Sequence, residues 1–177
     1  MNPASRCLTV LFLLPLALLA AAAQAEIEVG DMPPDLLGET PKGEVIRISE
    51  HRGKVMVVSF WASWCPRCHE QFPALDLLQQ HVDPDRLRVV LVNFKEHPRV
   101  YRDIVRETRK SPVTWTHDRD GTVSEAYGVN SVPRTFLIDK SGRVAMVRYG
   151  YSESGIQKLF EAIDVVLAEP AVIPSFN

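Results

Sequence analysis

Cys65 and Cys68, two cysteines three positions apart, are the residues of this chain best placed to do chemistry. They lie in Ser63-Trp64-Cys65-Pro66-Arg67-Cys68-His69, where an apolar run ends and a helical pattern begins. A cysteine at a helix N-terminus faces unpaired backbone N–H groups and the positive end of the helix dipole. Both favour the thiolate and can bring a cysteine pKa from about 8.5 into the range of roughly 3.5 to 7.5. Cys65 has that position, and Arg67 adds positive charge beside it. Pro66 fits the first helical position, where no N–H is needed. Cys68, one turn further in, is near enough to pair with Cys65 and more shielded. The roles expected are attack on a substrate disulfide by Cys65 and resolution of the mixed disulfide by Cys68.

Those roles need a rigid strand before the motif and a helix after it. Val55-Met56-Val57-Val58-Ser59-Phe60 is the kind of run found in a strand buried on both faces. From Pro66 to about Val82, Phe72, Leu75, Leu78 and Val82 keep helical spacing, with Pro73 predicting a kink inside that helix. A second buried strand is expected over Leu87 to Phe94, then a helix from about Pro98 to Arg109 and a short strand from Val113 to His117. Thr122 and Glu125 have capping-box spacing for a compact helix that Gly128 can close. Thr135 to Ile138 and Val144 to Tyr149 read as a hairpin, and Glu153 to Ala168 as the last helix. Residues 26–50 read as an irregular lead-in with short β-prone pieces such as Val45 to Ile48. The order after it, β-α-β-α-β-α-β-β-α, predicts an α/β fold with a mixed central sheet and helices on both faces.

The chain has 177 residues, 46% hydrophobic, and a formal net charge of −2. That suits one domain with a real core, and the absence of a basic stripe sets nucleic acid aside. Residues 1–25 read as a signal peptide: Arg6 is its basic residue, Leu8 to Ala23 is uncharged, and Ala23-Gln24-Ala25 offers a cleavage site. Left uncleaved, the segment would be a membrane anchor. Cys7 lacks the preceding small-residue run of a lipoprotein signal. Residues 26–168 form the expected domain and 169–177 a flexible tail. After cleavage two cysteines remain, both in the motif, which points to chemistry rather than structural staples.

Phe60-Trp61-Ala62-Ser63-Trp64-Cys65-Pro66-Arg67-Cys68 resembles the active-site stretch of the thioredoxin superfamily. Gly128-Val129-Asn130-Ser131-Val132-Pro133-Arg134-Thr135-Phe136-Leu137-Ile138-Asp139 resembles its second signature, the loop with a cis-proline. The lead-in, Gly53-Lys54 before the strand and the leader look most like the exported TlpA, ResA and DsbE (CcmG) branch. The resemblance implies a thioredoxin fold with an N-terminal β lead-in and a cis Val132–Pro133 bond beside the cysteines. It also implies that Val132 offers backbone groups to a bound peptide; Trp64, by its place flanking the cysteines, would give such a peptide an apolar surface. Two positions depart from the family pattern. Ser59 stands where thioredoxins carry a buried acid, and Gln71 where many of this branch carry a glutamate. Glu96, which matches a glutamate after Val-Asn in that branch, is then the remaining candidate to carry the proton during resolution.

Other readings of the motif are weaker. Cys65-Pro66-Arg67-Cys68-His69 also spells a haem attachment motif, but its place between a buried strand and an amphipathic helix suits redox thiols. A peroxidase of the peroxiredoxin type would have threonine or serine at position 62, where this chain has Ala62. Two thiolates could carry a metal, yet His51, His81, His97 and His117 are scattered and none is paired with the motif. No cofactor and no metal are expected. The expectation is a periplasmic thiol–disulfide oxidoreductase reducing disulfides of exported proteins, apocytochrome c a candidate. It would need an upstream membrane or periplasmic electron donor. A disulfide oxidant or isomerase is the alternative on the same scaffold.

Overall fold

The computed structural model describes residues 26–170, so the expected signal peptide and residues 171–177 of the expected tail lie outside it. Its centre is β3 (Val55–Trp61), every residue of which is buried. Side chains alternate across this strand. Val55, Val57 and Trp61 enter one apolar cluster, while Met56, Val58 and Phe60 enter a second on the opposite face. A strand with both faces covered has no polar side to alternate with, which is why its sequence is continuously apolar.

Seven strands form one mixed sheet in the order β2-β1-β5-β4-β3-β6-β7. β4 (Leu87–Phe94) runs parallel to β3 and is reached through α1 (Pro66–His81). β5 (Thr114–Asp118) lies parallel to β4, after α2 (Pro98–Glu107). α3 (Thr122–Ala126) leads to β6 (Arg134–Ile138), antiparallel to β3 on its other side. β7 (Val144–Tyr149) completes the hairpin and α4 (Glu153–Ala168) closes the chain. Helices α1 and α4 pack on the first cluster, and the lead-in and α3 on the second. This is the thioredoxin-like α/β architecture expected.

The expected β lead-in joins the sheet: β1 (Leu36–Glu39) pairs antiparallel with β2 (Val45–Arg47) and with β5. Gly38 marks that docking, because a Cβ there would sit 2.9 Å from the His117 carbonyl oxygen. The expected Thr122–Glu125 capping box does not form. The N-cap is Gly121, and the buried Asp118 carboxylate accepts from the backbone N–H groups of Val123 and Ser124 at 2.9 and 2.8 Å. Glu125 instead pairs with Lys95 at 2.9 Å. A carboxylate arriving from the preceding strand satisfies those helix N–H groups, so Thr122 need not.

Candidate active site

Helix α1 starts where β3 delivers the chain, and Cys65 is its N-cap residue. The Cys65 sulfur accepts from the Cys68 backbone N–H at 3.1 Å, taking one of the donors a helix start leaves free. Pro66 occupies the first turn, as its missing N–H allows. Cys65 and Cys68 form a disulfide with their Cα atoms 5.3 Å apart. The helix continues through Pro73 to His81.

Two polar clusters bracket the pair. Ahead of it, the Glu96 carboxylate accepts from the Ser63 backbone N–H at 2.7 Å and the Ser63 hydroxyl at 2.5 Å. Asn93, at the end of β4 and fully buried, donates to the same carboxylate at 2.6 Å. His117 holds the Glu96 backbone carbonyl at 2.8 Å. Glu96 therefore grips the residue two before Cys65, with its carboxylate filled by loop and strand donors. Behind the pair, one turn past Cys68, Gln71 is buried and donates to the Thr135 hydroxyl at 3.0 Å. That hydroxyl lies 3.0 Å from the Ser59 hydroxyl, its cross-strand neighbour. The two departures noted in the sequence, Ser59 and Gln71, thus meet in one neutral hydrogen-bonded cluster through Thr135.

The remaining site residues divide by exposure. Trp64 is 62% exposed, whereas Trp61 is fully buried and packs edge-on against Phe72 and Trp115, each at 5.2 Å between ring centres. Arg67 points to solvent and is paired with Glu70 at 2.9 Å, so part of its charge is spent on that carboxylate rather than on Cys65. His69 turns back to the Ser63 carbonyl at 2.8 Å. The Val132–Pro133 peptide bond is cis. Phe60 pairs with Arg134, so Pro133 comes level with the end of β3. Val132 packs against the cluster that contains both cysteines. Ser63, Asn93 and Thr135 escaped the sequence reading. Asn93 had a visible signal, a lone amide in the apolar strand Leu87–Phe94.

The redoxin family model matches residues 28–163, a span that takes in the lead-in, the cysteine helix and the Pro133 loop. The chain belongs to the redoxin family. It is 30% identical to the thiol–disulfide oxidoreductase ResA of Geobacillus thermodenitrificans over 163 residues, 88% of this chain and 93% of that protein. Identity to ResA of Bacillus subtilis is 30% over 130 residues, 73% of this chain and 72% of that one. A solved structure from Chlorobium tepidum, assigned as thiol:disulfide interchange protein DsbE, superposes with a TM-score of 0.71 at 29% identity. It covers 81% of this chain and 100% of its own. Within the redoxin family the chain is a TlpA/ResA/DsbE-like member of the thioredoxin superfamily and a thiol–disulfide oxidoreductase. No helix of the described residues is long and apolar enough to cross a membrane.

Proposed function

We propose that this redoxin is a periplasmic reductant of disulfides in other exported proteins, working through Cys65 and Cys68. The observation that carries the proposal is the disulfide at the start of α1, with Cys65 as the capping residue and Cys68 fully buried behind it. In the reduced protein the Cys65 thiolate attacks one sulfur of a substrate disulfide. A Cys65–substrate disulfide forms, and the first substrate thiolate leaves and takes a proton from water. Cys68, as thiolate, then attacks the Cys65 sulfur, expelling the second substrate thiolate and forming the Cys65–Cys68 disulfide. Two electrons pass from this protein to the substrate, and a dithiol donor from the membrane or periplasm must return them.

Val132 presents backbone groups to an extended substrate segment beside Pro133, and the exposed Trp64 gives that segment an apolar contact. Pro66 starts the helix on Cys65 and Arg67 contributes what charge Glu70 leaves it. Glu96 holds the Cys65 loop through Ser63. Similarity to the ResA and DsbE proteins supports cysteine pairs of apocytochrome c as the substrate class to try first. The signal-peptide pattern of residues 1–25, with its candidate cleavage site at Ala23-Gln24-Ala25, supports the periplasmic location.

The deciding experiment is the reduction potential of the Cys65–Cys68 pair, by thiol trapping across defined redox buffers. A value near about −270 mV is expected and marks a reductant. A value near about −120 mV marks an oxidant and overturns the direction proposed.

A further inference from the structure

The lead-in begins against the base of the Pro133 loop in a small ionic cluster. Arg134 directly follows Pro133, and its side chain is only 3% exposed. Both of its terminal nitrogens donate to one oxygen, Oε1 of Glu26, at 3.1 Å. The Tyr149 hydroxyl donates to the same oxygen at 2.6 Å. The Arg134 guanidinium also lies over the Tyr149 ring, 3.5 Å from its centre. Arg134 and Tyr149 face each other across the β6–β7 hairpin, and the next residue, Gly150, donates its backbone N–H to the Pro133 carbonyl at 2.9 Å.

Among the described residues Glu26 is the only carboxylate in ion-pair contact with Arg134. The Tyr149 hydroxyl, and next the Arg134 guanidinium, hold the Glu26 carboxyl below the usual carboxylate range. Ile27 is buried in the second core cluster and pins the lead-in beside Glu26. A buried guanidinium that loses its one carboxylate must take water or another acceptor in its place, which loosens the hold on the strand end that carries it. That strand end begins one residue after Pro133.

We propose that Glu26 is a positioning residue of the Pro133 loop: with Arg134 and Tyr149 it clasps the lead-in to the loop's base and holds Val132 and Pro133 ready for substrate. The proposal rests on the reading of Val132 and Pro133 as the substrate-binding step. With the clasp intact, the loop is ordered before substrate arrives. Without it, substrate binding must do the ordering, which weakens binding and leaves the chemistry at Cys65 in place.

The test is steady-state reduction of insulin disulfides by the mature protein, Glu26 to Asn177, with dithiothreitol as donor, comparing wild type with Glu26→Gln and Glu26→Asp. Glu26→Gln is expected to raise KM roughly fivefold with kcat within about twofold, and Glu26→Asp to recover part of the loss. An unchanged KM, or a fall in kcat with KM constant, overturns the proposal. Should Glu26→Gln fail to fold, Tyr149→Phe removes a single hydroxyl. It is expected to raise KM about twofold, and no rise counts against the clasp. A wild-type chain that exchanges with small disulfides but never turns over insulin overturns the substrate reading itself, whatever the variants do.

Discussion

Glu96 and Gln71 are held on opposite sides of the same cysteine pair, and their surroundings differ in what they can tolerate. Glu96 lies at the partly open end of β4, where Ser63 and Asn93 aim three donors at its carboxylate. Gln71 lies beneath Cys68, 3% exposed, and donates to the Thr135 hydroxyl, which in turn is bonded to the Ser59 hydroxyl. A carboxylate is stable where several donors converge on it and costly where burial offers few. The loop before Cys65 is therefore anchored by charge, and the floor under Cys68 by neutral hydrogen bonds. In this protein the acid near the cysteines grips the backbone, and the buried position one turn behind them carries an amide.

Exchanging the chemistry of the two sides breaks the comparison most sharply. Gln71→Glu places a carboxyl among two hydroxyls and apolar side chains. It should destabilise the protein by about 3 kcal/mol at pH 8 in urea titration. Burial raises the new carboxyl's pKa above its unfolded value, so the folded state binds the extra proton more tightly. The loss should then shrink as pH falls through that raised pKa, and a loss that grows on acidification contradicts the neutral floor. Glu96→Gln acts on the other side with a smaller effect of about 2 kcal/mol, because an amide N–H would meet the donors of Ser63 or Asn93. Faster proteolysis near Ser63 should accompany it. Ser63→Ala removes the hydroxyl and keeps the backbone N–H bond, so it should cost about 1 kcal/mol. If Ser63→Ala costs more than Glu96→Gln, the carboxylate is not the anchor of the loop.

The same contrast separates what was legible in the sequence from what was not. Strands such as Val55–Trp61 and Leu87–Phe94 announce themselves because two covered faces demand unbroken apolar residues. Cys65 and Cys68 stood out because a strand-to-helix junction, a proline and a short spacing all agree. The β character of Val45 to Arg47 was legible, but β1 and its pairing with β5 were hidden, since a strand of four residues carries too little pattern. Asp118 took the capping role expected of Thr122 because it approaches from β5, a tertiary contact that local spacing cannot reveal. Ser59 and Gln71 were visible as positions, but their meeting through Thr135 depends on the antiparallel register of β3 and β6. Glu96 was picked out by position as a proton carrier, and only the fold aims it at Ser63.

The central claim is that Cys65 attacks and Cys68 resolves. The most direct measurement is to incubate the reduced Cys68→Ser variant with a protein disulfide, quench with acid, and map the covalent adduct by mass spectrometry. The account predicts a stable mixed disulfide on Cys65 that a dithiol releases, with no adduct and no exchange in Cys65→Ser. Adducts that form in Cys65→Ser through Cys68, or a Cys68→Ser protein that turns over without accumulating any adduct, would contradict it.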